Sequence, residues 1–399
     1  MSKTDELLTR GVANVIPGKE QLKKVLESGK KLNVFLGIDP TATKIHLGHA
    51  VPLRKLQAFA EMGHTVRFLI GDFTALIGDT SDKDTERPVL TPVEIEENFQ
   101  TYKRQAEKII DFSLPNVSVV HNSEWLNKLS FEEIVKLCQH FSVGDFVGRE
   151  LIRKRLDQNK RVGLHEFLYP VMQGYDSYFM DTDIQIGGTD QTFNMQAGRT
   201  LQKDIRGKES SVLATEFLIG TDGRKMSKSW GNAIWLEDSP EDMYAKIMAI
   251  HDDVIVEYFT LATNVGMEKV REVETRLEKG ENPRDLKKEL AKELVTELHT
   301  EDAAENAQQY FEKTVVNHEM PAEIPVVSVG TSENLFELSD LLVKLGLAAS
   351  KSEAKRLVEQ GGVMIDEERQ DNPSKEVAIE DSVIIKVGKR KFVKVTLQE

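Results

Sequence analysis

The chain has 399 residues, 40% of them hydrophobic, a single cysteine and a formal charge of 52 − 66 = −14. Such a length predicts two or three domains with real cores and excludes global disorder. One cysteine, Cys138, excludes an internal disulfide framework and a cysteine-rich zinc site, so no structural metal is expected.

In chain order, Met1 to Glu6 lacks an apolar signal core, and no stretch nears the length that spans a bilayer. A cytoplasmic protein without membrane contact is therefore expected. Val34 to Ile38 is a short apolar run of the kind buried in a parallel sheet. Asp39-Pro40-Thr41 breaks it, and a helix is predicted from about His46 to Met62. Val66–Ile70, Val117–Val120 and runs near Ile184 and Leu213 repeat the theme. Strands spaced by helical segments predict an α/β fold with a doubly wound parallel sheet. Residues from Ser123 to about Gly163 read as a helical insertion, and His165 to Phe179 as a further helix. An apolar strand is predicted over Glu216–Ile219, followed by the turn Asp222-Gly223. Ser239-Pro240 and Asn282-Pro283 place N-caps and first-turn prolines on a purely helical segment. Val326–Thr331 reads as a linker. Two short helices, Leu335–Leu345 and Lys351–Gln360, a Gly361-Gly362 turn and β-like pieces through Val395 complete the chain. The predicted domains are 1–229, 230–325 and a small α+β domain over 332–399. That last stretch holds 11 Lys/Arg against 12 Asp/Glu from Asn334 onward, so the acid excess lies upstream and local RNA contact stays open.

Four constellations carry chemistry. His46-Leu47-Gly48-His49 opens a helix, where free N–H groups and the dipole favour phosphate and Gly48 permits close approach. Lys225-Met226-Ser227-Lys228-Ser229 sets two flexible cations on a loop, suited to following pyrophosphate charge. Tyr169, Gln173 and Asp176 stand at i, i+4 and i+7 and share a helix face. Gly187-Gly188-Thr189-Asp190-Gln191 ends a strand with glycines that allow close backbone approach. Taken singly, each has an ordinary alternative: capping histidines, a solvated basic loop, a solvated polar stripe, a Gly-rich turn. Lys83 and Arg87, four apart, can likewise be a surface charge pair or a pyrophosphate grip.

Together with Gly37-Ile38-Asp39-Pro40-Thr41, Ile77-Gly78-Asp79 and Glu86-Arg87, these motifs resemble the bacterial tyrosyl-tRNA synthetases of class I. The tail resembles an RNA-binding module shared with a small-subunit ribosomal protein. The resemblance covers almost the whole chain. It implies a Rossmann-like catalytic domain, a helical tRNA-binding domain and a small RNA-binding domain. It also implies Mg2+·ATP and L-tyrosine as substrates, tRNA(Tyr) as partner, and a homodimer. Thr41, His46, His49, Lys83, Arg87, Lys225 and Lys228 would be catalytic. ATP would meet Asp39, His46, Gly48, His49, Gly188, Asp190 and the loop from Lys225 through Met226, Ser227 and Lys228 to Ser229. Tyrosine would meet Phe35, Gly37, Asp79, Tyr169, Gln173, Asp176 and Gln191, with Asp176 accepting from the phenol. Lys351, Lys355, Arg356, Lys389, Arg390 and Lys391 would form the tRNA patch.

The sequence departs from the family pattern at Phe35, where some members place a tyrosine, and at Thr80-Ser81-Asp82, often Pro-Ser-Gly. A tryptophanyl enzyme, a small-molecule nucleotidyltransferase and a catalytically dead RNA-binding regulator are the rival readings. The Tyr169–Asp176 helix face and the tail argue against the first, the tail and the helical middle domain against the second, and the intact motif residues against the third.

Overall fold

The computed structural model describes residues 2–41, 43–78, 91–317, 324–330, 335–379, 381–388 and 391–397, and it divides into two compact units, 1–304 and 305–399. The first unit opens with α1 (Lys3–Leu7), β1 (Val12–Ile16), α2 (Lys19–Glu27), β2 (Asn33–Ile38), α3 (Leu47–Glu61) and β3 (Thr65–Ile70). It continues with α4 (Pro92–Ala106), β4 (Val117–His121) and the helices α5 (Ser123–Leu126), α6 (Phe131–Cys138), α7 (Val143–Val147) and α8 (Glu150–Asp157). Then come α9 (Leu164–Phe179), β5 (Ile184–Gly188), α10 (Thr192–Arg206) and β6 (Ser211–Thr215).

The six strands are ordered β1-β6-β5-β2-β3-β4. All pairs are parallel except β1 with β6. Val34 and Leu36 of the central β2 are buried between β3 and β5, which is why that strand reads as a near-continuous apolar run. The chain leaves β2 toward β3 on one side and returns after β4 to lay β5 on the other. That reversal opens a crevice at the carboxyl ends of β2 and β5, the place where open α/β sheets bind ligands.

The sheet is mixed rather than wholly parallel because β1, a strand the sequence does not predict, pairs antiparallel with β6. Val12–Ile16 carries a central asparagine, and its side chains are half-buried or exposed, so an apolar run does not announce it. The predicted strand over Glu216–Ile219 is a correction. β1 covers this edge only as far as the Glu216 N–H to Gly11 C=O bond, and the chain then departs. Leu218 C=O accepts from Met226 N–H instead, within a small hairpin.

The helical stretch α11 (Pro240–Met248), α12 (Ile255–Ala262), α13 (Met267–Glu278) and α14 (Pro283–Leu298) belongs to the same unit as the sheet. Ser239 and Asn282 cap their helices as the sequence predicts, accepting from Asp242 N–H and Arg284 N–H. Arg10 donates to the carbonyls of Phe259, Thr260, Thr263 and Val265 at the end of α12, at 2.7–3.2 Å. Arg54 of α3 pairs with Glu297 of α14 at 2.7 Å.

Lys55, on the buried face of α3, donates its ammonium to Leu7 C=O at 2.8 Å and is 7% exposed. Burial, with nearby Arg10 adding to it, lowers its pKa from 10.5 to about 8. Between pH 8 and 10.5 the unfolded chain binds more protons at this site, so stability rises with pH there. Between pH 8 and 10 the wild type should gain about 2 kcal/mol relative to Lys55→Met, read from urea midpoints. Equal pH slopes for the two proteins would refute the burial of this charge.

The second unit begins within α15 (Glu301–Phe311) and contains β7 (Val326–Val329), β8 (Leu335–Glu337), α16 (Leu338–Lys344), α17 (Lys351–Glu359), β9 (Val363–Ile365), β10 (Glu368–Gln370), β11 (Glu376–Ala378), β12 (Ser382–Val387) and β13 (Lys391–Leu397). Its sheet runs β10-β9-β12-β13-β7, with β8 and β11 as a separate pair. Leu341, Leu342, Ala354, Val358, Ile385 and Val395 form a core of its own. Two expectations fail here. Val326–Val329 is no linker but a strand parallel to β13, because Val329 packs into that core. Leu335–Glu337 pairs with β11 before the helix begins at Leu338.

Candidate active site

A cavity of about 590 Å³ occupies the crevice at the ends of β2 and β5. β2 delivers Phe35, Gly37 and then Asp39 to it, and Thr41 follows. Asp39 is fixed on both oxygens: Thr74 Oγ1 donates to Oδ1 and Tyr169 Oη to Oδ2, each at 2.8 Å. Of the residues expected to bind ATP, Asp39 therefore also orients a residue expected to bind tyrosine.

The opening turn of α3 supplies His46, Gly48 and His49 to the same wall. The two imidazoles stack with centroids 3.8 Å apart, and the His46 backbone N–H donates to His49 Nδ1 at 3.3 Å. A Cβ on Gly48 would lie 3.0 Å from the His46 ring, so glycine is what lets the ring sit there. Burial, then His49 and Lys225, pushes the His46 pKa down to about 2. With that pKa the His46 imidazole is neutral at physiological pH. Its Nδ1 is buried with no hydrogen-bond partner among the described residues. Pro52, in the second turn, removes one helical N–H and frees the Gly48 carbonyl four residues earlier.

Helix α9 presents Tyr169, Gln173 and Asp176 along one face to the cavity. Its first turn is anchored by a buried bidentate pair in which Arg155 of α8 donates to Glu166 at 2.6 and 3.0 Å. Glu166 also accepts from Gly163 N–H at 2.7 Å. Asp176, 2% exposed, accepts from Trp125 Nε1 at 2.7 Å and from Asn122 Nδ2 at 3.2 Å. Burial raises its pKa to about 8 against the pull of those donors, and the carboxylates of Asp39 and Asp72 add to the rise. Phe35 closes this end in an apolar cluster with Leu69, Trp125, Leu126 and Met180.

Beyond β5, Gly188, Asp190 and Gln191 line the opposite wall. Gly188 is constrained as the sequence suggests, since a Cβ there would meet Asp190 Oδ1 at 2.5 Å. Lys225, Ser227, Lys228 and Ser229 reach the cavity from the loop after β6, with Met226 buried beneath. Lys225 Nζ lies 3.3 Å from Asp190 Oδ2 and 3.6 Å from the centre of the Phe217 ring.

The structure thus gathers into one cavity every described residue expected to bind tyrosine or ATP. Asp79, Lys83 and Arg87 lie outside the described residues, as do Thr80, Ser81 and Asp82. Sequence reasoning missed Asn122, Trp125, Thr74 and Phe217. Asn122 directly follows β4, and the end of a parallel strand was the signal available for it. In the second unit, Lys351 is held by Asp340 at 2.8 Å and Glu337 at 3.3 Å. Lys355 and Arg356 are exposed on α17, Lys391 is exposed on β13, and Lys389 and Arg390 lie outside the described residues.

This arrangement of sheet, histidine turn and lysine loop is that of a class I aminoacyl-tRNA synthetase, and the family described as tRNA synthetases class I (W and Y) matches residues 27–316. The S4 domain family matches residues 338–383. The tyrosine–tRNA ligase of Thermotoga maritima is 42% identical, covering 98% of this chain and 96% of that protein. That of Carboxydothermus hydrogenoformans is 43% identical, covering 99% and 98%. The chain belongs to the tyrosine–tRNA ligase family. A crystal structure of the Archaeoglobus fulgidus tyrosyl-tRNA synthetase with L-tyrosine shares the fold, with TM-score 0.60 and 24% identity over 77% of this chain and 99% of that one. A truncated Aspergillus nidulans mitochondrial tyrosyl-tRNA synthetase gives TM-score 0.65 at 22% identity, covering 77% and 92%.

Proposed function

We propose that the residues of this cleft carry the tyrosine–tRNA ligase reaction in the following roles. The observation that carries the reading is Asp176, a buried acceptor held by Trp125 and Asn122 at the apolar end of the same cavity that holds both histidines and both lysines. Tyrosine enters with its phenol O–H donated to Asp176 and its ammonium toward Tyr169 and Gln173, with Asp79 as a further contact. Gln191 meets the carboxylate side, and Gly37 lets the substrate lie against β2. Mg2+ arrives on the ATP phosphates. Gly48 and Gly188 admit the nucleotide, whose ribose and base meet His49, Asp190 and Asp39.

The tyrosine carboxylate is ionised at neutral pH, so its attack on the α-phosphate needs no general base. Catalysis is positioning plus charge stabilisation. Neutral His46 and Thr41 donate hydrogen bonds to the pyrophosphate oxygens, and Lys225, Lys228, Lys83 and Arg87 meet the leaving charge. A ribose hydroxyl at the 3′ end of tRNA(Tyr) then attacks the adenylate.

The tRNA contacts fall to the helical segment and to the second unit, where Lys355, Arg356 and Lys391 offer exposed cations. Lys351 contributes less, because Glu337 and Asp340 already neutralise it. Phe131, Val143 and Leu164 are 81%, 76% and 78% exposed, apolar side chains of the kind a second copy of the chain would cover. A monomer in sedimentation at micromolar concentration would remove the dimer from this reading. No helix among the described residues is long and apolar enough to cross a membrane, and the reading places the enzyme in the cytoplasm.

The test is ATP–pyrophosphate exchange with each amino acid in turn, expected with tyrosine and not with tryptophan. Removing residues 332–399 should abolish tRNA charging and spare exchange. Tryptophan-dependent exchange, or normal charging by the shortened enzyme, contradicts the corresponding half.

A further inference from the structure

The lysine loop is closed at its neck by a residue that does not line the cavity. Asn232 is 2% exposed, and its side chain reaches three points of the loop. Its Nδ2 donates to Asp222 Oδ1 at 2.7 Å and to the Lys225 carbonyl at 3.1 Å, while its Oδ1 accepts from Ser227 N–H at 2.8 Å. Its backbone carbonyl accepts from Thr221 N–H at 3.1 Å. One amide thus joins the start of the loop, the peptide of the first lysine and the peptide just before the second. We infer that Asn232 is the positioning residue that holds Lys225 and Lys228 in their working places.

The chemistry at the neck requires a donor and an acceptor on the same short side chain. Aspartate would keep the acceptor for Ser227 but set a second carboxylate against Asp222. Glutamine would add a methylene where there is no room, since a Cβ on Gly220 would already lie 2.5 Å from the Asn232 amide. The Asp222 side takes its own support from Arg224, which donates to it and whose guanidinium lies over the Trp230 ring at 4.6 Å. The Asn232 amide is also the largest influence holding the Asp222 carboxyl down, at about 2. Because Asn232 is screened from the cleft, its effect on catalysis passes through the lysines.

The inference rests on the reading that both lysines stabilise leaving pyrophosphate, and the test separates the two. Asn232→Ala should slow pre-steady-state adenylate formation on the order of 10-fold or more, as lost buried hydrogen bonds let the loop wander. Tyrosine affinity by equilibrium dialysis should stay unchanged. In a Lys225→Ala/Lys228→Ala background the same change should cost less than about twofold, since coupled residues are not additive. An unchanged rate in the single variant overturns the inference, and so does a full extra loss in the lysine-free background. If the lysine-free enzyme itself runs at the wild-type rate, the underlying reading of the loop falls and takes this inference with it. Should Asn232→Ala fail to fold, Asp222→Ala opens the neck from its exposed side. It should show the same rate loss and the same non-additivity, and an additive loss there overturns the inference equally.

Discussion

Replacing Lys228 with alanine is expected to slow adenylate formation on the order of 10²-fold or more, with tyrosine affinity changed by less than about twofold. The reason lies in which groups of the cleft are charged. His46 is proposed to meet the phosphates, yet its pKa of about 2 leaves it a neutral donor. In the proposed mechanism, charge that appears on leaving pyrophosphate must therefore be met by cationic side chains, the lysines and Arg87. Lys225 is engaged with Asp190 at 3.3 Å, and part of its charge is balanced there. Lys228 is exposed, lines the same cavity and stands on a short turn beyond Ser227. A contact made mainly in the transition state lowers kcat and leaves ground-state binding alone. Rapid-quench measurement of adenylate formation, with tyrosine binding followed separately, checks the split. A wild-type rate would remove Lys228 from the mechanism, and an equal loss of tyrosine affinity would make it a binding residue instead.

Much of this site was legible in the sequence because its parts sit at element ends, where residue type and position are tightly coupled. Gly48 and Gly188 show the coupling directly, since each stands where a Cβ would strike the next functional side chain. The shared face of Tyr169, Gln173 and Asp176 follows from helical spacing alone, and α9 keeps it. What spacing could not show is which groups hold those residues still. Asn122 and Trp125 lie more than 50 residues from Asp176 in sequence and meet it only because β4 ends beside α9. The same holds for Asn232, whose partners are near in sequence but whose role depends on the loop folding back. The misread segments have a common physical cause as well. Val12–Ile16 and Val326–Val329 are edge strands with half-exposed side chains, so their place in a sheet is set by distant partners rather than by their own pattern. Glu216–Ile219 has the composition of a strand, but the pairing of β6 with β1 ends at Thr215, so the stretch meets no strand there.

Tyrosine and phenylalanine differ by one hydroxyl, and in the proposed reading Asp176 decides how well the enzyme tells them apart. Phe35 offers that hydroxyl only an apolar wall, so the discrimination falls on the carboxylate. Among the described residues Trp125 and Asn122 donate to Asp176, and burial still raises its pKa to about 8. A phenol O–H adds a third donor and favours the ionised form. Tyrosine binding below pH 8 is then coupled to proton release, so affinity for tyrosine should strengthen as pH rises toward about 8. Phenylalanine brings no donor, and its weaker binding should lack this component; comparing the two cancels the titration of their common amino group. Asp176→Ala should cut kcat/KM for tyrosine severely. It should also shrink the tyrosine-to-phenylalanine preference on the order of 10²-fold or more, because the phenol O–H loses its buried acceptor while phenylalanine, which brings no donor, loses nothing. Measuring kcat/KM for both amino acids from pH 6 to 9, in the wild type and in the variant, tests every part. If the variant keeps the full preference, the phenol is read elsewhere; if it loses the preference but the wild type shows no pH dependence, Asp176 is the reader and is ionised throughout that range.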